Sequence, residues 1–491
     1  MASEAVTVEG RSGLEPWKVS ELPQPPVSRG ISQFGLVGPG IIVLGVSLGS
    51  GEWLLGPAAF VRYGLTLLWV TTAATFLQAV FNMELIRYTM YTGEPVLTGF
   101  MRTRPGAAFW GWVYALFYLL QVGWPGWAGA SAGAIFYLFA GRVAGDADGS
   151  SIYWIGVLTF LVCVIILLFG RRIERTLEIL NWILILFIFV GLALMCLAYT
   201  PLERWLQAAA GFLGYNPQTR GFQLLPPGAD PFLIGAFAAY SGAGGAVNLM
   251  VSSWARDKGF GMGRVAGYIP AFFGGRRVKL AHSGTVFEVT PQSMQTWKRW
   301  WRIARFDQWG VFFFGALLGM ALPAILYTTF LTPGEDILGP GISAVLASSL
   351  TDRGNAVLAF GIALIAIWVL LKTQLNIVEG MARSLTDILW SGSSRLRGWR
   401  GGDVRYIYYG VLAITVIWAV VALKFAQPIF LLQLSANMAG LVFVVSSIHV
   451  LYLNTHLLPE ALRPPLWRRV ALVLVALFYG AFFFLWIRSL L

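Results

Sequence analysis

One carboxylate lies in the middle of the first long apolar segment, in the run Gly45-Val46-Ser47-Leu48-Gly49-Ser50-Gly51-Glu52-Trp53. An ionisable group at mid-membrane costs about 2.5–3.5 kcal/mol on insertion scales, so Glu52 should face a substrate path or a polar partner. In a functional role Glu52 coordinates a cation. In a structural role it pairs with another polar group and merely holds the chain.

The glycines and serines around Glu52 weaken any helix there, so the first span should break at mid-membrane. A break in hydrocarbon leaves N–H and C=O groups unpaired, which is tolerable only where they line a cavity or bind something. The pattern returns in Tyr240-Ser241-Gly242-Ala243-Gly244-Gly245-Ala246-Val247-Asn248. Two glycine-interrupted spans in corresponding positions of two halves indicate a transporter of inverted repeats, with its substrate at the midplane.

The composition is that of a polytopic membrane protein. The 491 residues are 57% hydrophobic and 12% charged, whereas soluble domains carry about 25% charge. The formal net charge of +12 comes from basic loops on one side of the spans, which is the positive-inside pattern and not a nucleic-acid site. Cys163 and Cys196 lie in apolar runs and indicate neither a disulfide nor a metal cluster.

Runs of roughly 20 apolar residues predict about eleven spans. The loop charges predict a multi-pass protein of the cell membrane with a cytoplasmic N-terminus and the lipid bilayer as its surroundings. The spans are expected near 35–62, 65–91, 107–140, 152–170, 173–199, 231–256, 309–331, 355–382, 404–424, 428–453 and 467–488.

The spans divide the chain into four parts. Residues 1–30 are predicted to be a disordered cytoplasmic tail, and 31–258 to hold the first repeat plus the broken sixth span. Residues 259–308 form a cytoplasmic or interfacial insert, and 309–491 hold the rest of the second repeat plus an eleventh span. Within the insert, 278–289 suggests a small hairpin. The Trp- and Arg-rich stretch 296–305 suggests an interfacial helix on anionic headgroups, with a regulatory or partner-binding helix as the alternative.

Two stretches of the chain carry a resemblance to a known family: one begins at Gly38-Pro39-Gly40 and continues past Trp53, and the other is Arg87-Tyr88-Thr89-Met90-Tyr91-Thr92-Gly93. In these stretches the chain resembles the Nramp (natural resistance-associated macrophage protein) family of divalent-metal transporters. The resemblance implies an all-α polytopic membrane protein of inverted five-helix repeats with broken helices 1 and 6, the LeuT-like architecture. It implies a divalent metal as transported substrate and no resident cofactor.

The chain departs from the family's signatures at three places. Gly49-Ser50-Gly51-Glu52 occupies the frame of Asp-Pro-Gly-Asn, so the carboxylate is retained but moved by three residues. Gly245-Ala246-Val247 stands where the family has Met-Pro-His. The third-span acidic residues that the family uses in proton transfer fall on Gly126 and Gly129. Proton coupling by the family's usual route is therefore not expected.

The predicted binding set contains only oxygen ligands, which suits Mg²⁺ or Mn²⁺ better than softer metals. The Met250 thioether, one turn away, keeps sulfur ligation open. The predicted substrate or metal-binding residues are Glu52, Ser47, Leu48, Gly49, Gly51, Gly244, Gly245 and Asn248.

Four polar residues of later spans are predicted to serve coupling or gating: Lys372, Asn376, Gln433 and Asn437. The Lys372 ammonium can replace a coupling ion near the first span, pair with Glu52, or snorkel towards the interface. Gln433 and Asn437 lie four apart on one face and can equally join helices by hydrogen bonds.

The leading hypothesis is a secondary transporter that moves Mg²⁺ or Mn²⁺ by alternating access. The alternative keeps the fold but carries a small organic or anionic solute, held by half-helix N-termini at Gly51 and Asn248. A receptor that binds without transporting is a third. No His-Glu-x-x-His pair or nucleophile elbow occurs in the spans, so an enzyme is not predicted.

Overall fold

The computed structural model describes residues 13–26, 35–275 and 278–491. Within these residues nine helices are long and apolar enough to cross a membrane. Two further predicted spans, near 107–140 and 231–256, are each built from two shorter helices. The prediction of an all-α, multi-pass membrane protein is therefore confirmed.

The α-helices are α1 (Pro39–Ser47), α2 (Gly56–Tyr63), α3 (Leu68–Thr92), α4 (Val96–Met101), α5 (Ala107–Val122), α6 (Gly126–Ala140), α7 (Gly149–Leu168), α8 (Ile173–Tyr199), α9 (Leu202–Gly211), α10 (Pro231–Tyr240), α11 (Ala246–Lys258), α12 (Gly263–Ala266), α13 (Pro291–Arg305), α14 (Phe314–Phe330), α15 (Val345–Asp352), α16 (Ala356–Gly392), α17 (Ser394–Gly398), α18 (Arg405–Ala422), α19 (Pro428–His456) and α20 (Leu466–Ser489). The short strands are β1 (Lys18–Val19), which pairs in parallel with β4 (Thr285–Val286), and β2 (Tyr215–Asn216), which pairs antiparallel with β3 (Gly221–Phe222).

Both predicted breaks are present. Helix α1 ends at Ser47, and the chain resumes as a π-helical turn over Gly51–Leu55 that leads into α2. Between α10 and α11 the chain passes through Gly242 and Gly244, at φ 105° and 90°. Only glycine adopts such angles readily, so the composition of this run dictates where the sixth span opens.

Burial separates the central spans from the peripheral ones. An 18-residue stretch of the first span, Pro39–Tyr63, is entirely buried, whereas only 28% of such a stretch in Ile173–Tyr199 and 33% in Leu466–Ser489 lie inside the protein. Helix α1 contacts α8, α11 and α16. The broken helices thus form the centre of the bundle, and apolar side chains of the outer helices face the surrounding lipid.

Residues 13–26, which we call the N-terminal strap, correct the prediction of a disordered tail over 1–30. Strand β1 of the strap pairs with β4. Gln24 Nε2 donates to Thr296 Oγ1 at 2.9 Å, and Trp300 Nε1 donates to the Pro23 carbonyl at 2.8 Å. Partners nearly 300 residues away order this polar segment, and local composition does not reveal them. Residues 1–12 and 27–30 lie outside the described residues.

The insert also differs from its prediction. Strand β4 pairs with the strap, so the expected hairpin over 278–289 is wrong. Helix α13 runs on through a π-helical segment, Phe306–Phe313, into α14. The predicted boundary at 308 therefore falls inside one continuous helix that starts at Pro291 and ends at Phe330.

A buried carboxylate between α3 and α4 anchors the strap. Glu94 accepts hydrogen bonds from Trp17 Nε1 (3.1 Å), the Tyr88 hydroxyl (2.7 Å) and the Gly284 amide (2.6 Å), and it pairs with the Arg102 guanidinium. Burial by itself raises the pKa of Glu94, but Arg102 and these donors outweigh burial and hold the pKa below its usual 4.5. The ionised Glu94 carboxylate therefore stabilises the folded protein. Its contribution to the free energy of unfolding is complete above pH 4.5 and is lost as the pH falls through the lowered pKa.

We expect Glu94→Gln to loosen the strap, because an amide cannot form the ion pair with Arg102 and presents one acceptor atom instead of two. Trypsin should then cleave the strap at Lys18 at least several-fold faster at neutral pH. Glu21→Gln, an exposed change in the same strap, serves as the control. Equal cleavage rates in the two variants would show that Glu94 does not hold the strap.

Candidate site at the two helix breaks

Glu52 lies in the first turn of the π-helical segment and connects the two breaks. Its carboxylate accepts from Ser47 Oγ (3.0 Å) and the Gly49 amide (3.3 Å) within its own span. It also accepts from the Gly242 amide of the sixth span at 3.3 Å. The side chain is only 2% exposed. The residue with the strongest functional signal in the sequence therefore lies where both broken helices meet.

The two breaks touch at Gly51. A Cβ added to Gly51 would lie 1.8 Å from the Tyr240 carbonyl oxygen at the end of α10. No side chain fits in that space without backbone movement. This glycine is required for the close approach of the two chains.

We expect Gly51→Ala to push the two breaks apart and to abolish transport through the site. Gly410→Ala is a matched control, because Gly410 is also helical and has open space around its Cβ position. The measurements are solute uptake and Tm, compared between the two purified variants. Uptake in Gly51→Ala equal to that of the control would show that the close approach is not needed.

Lys372 points into the first break. Its Nζ donates to the carbonyl oxygens of Gly45 and Leu48, each at 2.5 Å. The Thr373 hydroxyl lies 3.4 and 3.3 Å from the same two oxygens. Lys372 is 1% exposed, so the snorkelling alternative is wrong. The Leu48 carbonyl, a predicted metal ligand, is bound by this lysine.

Two glutamines bind the backbone groups that the sixth-span break leaves unpaired. Gln121 of α5 donates to the Gly244 carbonyl at 2.9 Å and accepts from the Ala246 amide at 2.8 Å. Gln78 of α3 accepts from the Ala243 amide at 2.8 Å and from the Gly244 amide at 3.4 Å. The Gly244 carbonyl, another predicted ligand, is therefore also occupied by the protein.

Asn248, in the first turn of α11, presents a free acceptor. Its Nδ2 donates to Asn82 Oδ1 at 2.8 Å and to Gln78 Oε1 at 3.3 Å. Its Oδ1 is buried and has no hydrogen-bond partner among the residues that the structure describes. A buried acceptor without a donor costs free energy, which a bound cation would recover. The Met250 sulfur packs against Gly380 of α16, so it contacts a neighbouring helix.

The other predicted gating residues hold helices together. Asn376 of α16 exchanges two hydrogen bonds with Asn181 of α8, at 2.9 and 3.0 Å. Asn437 Nδ2 donates to the Phe232 carbonyl near the start of α10 and to the carbonyl of Gln433, both at 2.9 Å. The Asn376 contacts and the Asn437 contact with Phe232 join helices, whereas the Gln433 carbonyl accepts from Asn437 within α19. The direct contact with the break comes from Lys372.

Sequence reasoning missed three polar residues around the site. Gln78 and Asn82 carried a usable signal, since amides inside an apolar span face the bundle interior. Nothing in the sequence indicated a role for Asp307, because it lies in the predicted insert. Its carboxylate accepts from the amides of Gly38 (3.0 Å) and Gly40 (2.7 Å) and so fixes the start of α1.

The third-span glycines are packed tightly against α19. A Cβ on Gly126 would lie 2.8 Å from the Leu432 side chain, and one on Gly129 would lie 2.6 Å from Pro428. A carboxylate would not fit at either position. Across the described ranges, no three His, Cys, Asp or Glu side chains gather in a metal-binding cluster.

A buried ionic network lies between α11 and α16, and one of its members, Asp257, lines the cavity near the start of the first span. Arg383 of α16 pairs with Asp257 of α11 and with Glu379. Arg256 donates to Asp387 at 2.5 Å and to Asp257 at 2.7 Å. We call these five residues the ionic latch. The latch joins the sixth span to α16.

Two cavities flank the site along the first span. One of about 580 Å³ is lined by Gly35, Lys258 and Trp300, near the start of that span. The other, of about 380 Å³, is lined by Tyr63, Arg204 and Gly334, near its end. Glu52 lines neither cavity. The carboxylate is thus buried and opens onto neither of these two cavities.

No known protein family and no curated protein sequence matches the chain. Its structure is similar to the manganese transporter of Eremococcus coleocola in complex with an aromatic bis-isothiourea substituted compound, with a TM-score of 0.66 at 16% identity, over 96% of this chain and 91% of that one. It is also similar to Mhp1, a nucleobase-cation-symport-1 family transporter with bromovinylhydantoin bound (TM-score 0.52, 13% identity, 95% and 92% covered). MhsT in complex with L-phenylalanine matches with a TM-score of 0.51 at 12% identity (93% and 98% covered).

These neighbours are membrane transporters that carry the LeuT fold. The predicted fold class, an all-α polytopic protein of LeuT-like architecture with broken helices 1 and 6, is confirmed. At such low identity the similarity establishes the fold and leaves the substrate to be argued from the site.

Proposed function

We propose that the protein is a secondary transporter that moves a divalent cation, Mg²⁺ or Mn²⁺, by alternating access, as a divergent relative of the Nramp family. We place it in the cell membrane with the N-terminus in the cytoplasm. The observation that carries the proposal is a single buried carboxylate, Glu52, held between two helix breaks, with the unpartnered Asn248 Oδ1 in the sixth span.

Carboxylate and carboxamide oxygens are the ligands that hard divalent cations prefer, and Mg²⁺ keeps several waters in addition. The two amide contacts to Glu52 are 3.3 Å long, near the upper limit for a hydrogen bond. They can be exchanged for a cation at little cost. Glu52, Asn248 and the Ser47 hydroxyl thus remain as ligands, with Gly49, Gly51 and Gly245 as the backbone around them.

The geometry weighs against an anionic organic solute. Such a solute needs free N–H groups at a half-helix N-terminus, but Gln78 and Gln121 accept from the amides of Ala243, Gly244 and Ala246. The Lys372 ammonium is likewise bound to backbone carbonyls. Both groups that would attract an anion are therefore engaged within the protein.

The buried site supports alternating access. One cavity lies near the start of the first span and one near its end, so alternating access would require the chain to open between Glu52 and each of them in turn. The close packing at Gly126 and Gly129 supports transport without the family's usual proton route.

The test is uptake of Mn²⁺ and Mg²⁺ into proteoliposomes that contain a metal-sensitive dye, with a pH dye in a parallel set. We expect saturable metal flux above that of empty vesicles and no change of luminal pH that tracks it. Metal flux equal to that of empty vesicles, with protein inserted, would favour the organic solute. A pH signal that follows the metal would show that protons travel by another route.

A further inference from the structure

The environment of Lys372 has the composition of a monovalent-cation site. The carbonyl oxygens of Gly45 and Leu48 are three residues apart at the C-terminal end of α1, and both point at Nζ. Carbonyls at the end of a half-helix carry the negative end of its dipole. Such unwound carbonyls are the groups with which broken-helix transporters hold Na⁺. The Thr373 hydroxyl adds a third oxygen beside them.

The choice of a lysine is informative because a neutral donor would satisfy these carbonyls equally well. At the other break an amide does so, since Gln121 donates to the Gly244 carbonyl at 2.9 Å. Burying an ammonium costs more than burying an amide. The first break is instead filled by a side chain that can carry a positive charge.

A negatively charged group that a charge on Lys372 can balance, the Glu52 carboxylate, is bound one residue further along the chain. The Leu48 carbonyl binds Lys372, and the next backbone group, the Gly49 amide, binds the Glu52 carboxylate. Two consecutive backbone groups thus bind the Lys372 amine and the Glu52 carboxylate. Removal of the cation would leave the Glu52 charge with less compensation in a region that excludes water.

We propose that Lys372 is a tethered cation that permanently occupies a sodium-type site between the first span and α16. The carrier consequently needs no free monovalent cation at this position. Replacement of the lysine by a small residue opens a site for Na⁺ formed by the oxygens of Gly45, Leu48 and Thr373. This inference concerns the scaffold and holds whichever solute the protein carries.

The experiment compares Lys372→Ala, Lys372→Ser and Lys372→Met with the wild type. All four proteins are purified in NaCl and exchanged into NaCl, KCl or choline chloride at equal ionic strength. Tm and binding of radioactive sodium are then measured. Lys298→Ala, a change of an exposed lysine on α13, is the matched control. Neither readout requires transport activity, so failure of the metal proposal would not affect this test.

We expect the Tm of the wild type and of Lys298→Ala to be the same in all three salts. Lys372→Ala and Lys372→Ser should be less stable in choline, regain several degrees in NaCl, and bind sodium saturably. Lys372→Met fills the space without a charge and should be destabilised in every salt. Aggregation of Lys372→Ala and Lys372→Ser in choline chloride but not in NaCl would also show that Na⁺ stabilises these variants.

Two results would overturn the proposal. One is a wild type whose Tm rises specifically with Na⁺ and which binds sodium at this position, since the ammonium would then not replace the ion. The other is small variants that are equally unstable, or aggregate equally, in all three salts. In that case the carbonyls would need the lysine as a hydrogen-bond donor and not as a charge.

Discussion

Glu52→Gln should lower the affinity for Mn²⁺ by more than about 100-fold, since even residues that only orient metal ligands are worth about 10–100-fold. The carboxylate is the single charged oxygen donor between the breaks, so the amide removes the ligand's charge while keeping its shape. Gln Oε1 can still accept from Ser47 and from the amide of Gly49 or Gly242. The variant should therefore fold normally and keep its Tm.

Isothermal titration of purified protein with Mn²⁺ measures this change directly, and the uptake assay follows it. Glu335→Gln is the matched control, because it removes one negative charge from an exposed loop and leaves the site untouched. Wild-type affinity in Glu52→Gln would remove Glu52 from the binding site. It would also leave the proposal of a divalent cation without its principal ligand.

The helix breaks could be predicted because their cause is local. Glycines at 242 and 244 require no knowledge of the rest of the chain to indicate where a helix must stop. The same applies to Glu52, whose position in an apolar run is evidence by itself. Composition and spacing thus located the centre of the fold and the carboxylate in it.

The partners of the freed backbone groups could not be predicted in the same way. The carbonyls of Leu48 and Gly244 were expected to bind metal, because a break leaves them unpaired locally. In the folded protein Lys372 and Gln121 bind them. These donors are 324 and 123 residues away along the sequence, and nothing in the local pattern specifies such a pairing. Fewer of the predicted ligands are therefore left available to a metal.

The strap illustrates the same principle outside the membrane. Its sequence is polar and rich in proline, which is typical of a disordered tail. Its order comes from distant groups that need partners, namely the Glu94 carboxylate and the edge of β4. Neither the burial of Glu94 nor the segment that covers it could be predicted from the local sequence.

Arg383→Met should be the most destabilising single change in the ionic latch, by about 3–5 kcal/mol. Arg383 is fully buried and pairs with both Asp257 and Glu379. Methionine fills much of the same volume but leaves both carboxylates undercompensated. Arg256 still reaches Asp257, whereas Glu379 keeps only the hydrogen bond from Trp254 Nε1 at 2.9 Å. The loss should thus fall mainly on the contact between α11 and α16.

The Tm of the detergent-purified variant measures the loss, with Arg175→Met as the control. Arg175 also pairs with a glutamate, Glu178, but its side chain is 54% exposed, and an exposed pair contributes only about 0–1 kcal/mol. We expect a much larger loss of Tm in Arg383→Met than in Arg175→Met. Each change removes one arginine charge, so the difference in burial accounts for the difference in Tm. Small and equal Tm losses would mean that water enters the latch and compensates its charges. Asp257 and Glu379 would then contribute little to keeping α11 against α16, and the packing of these two helices would have to depend on their apolar contacts.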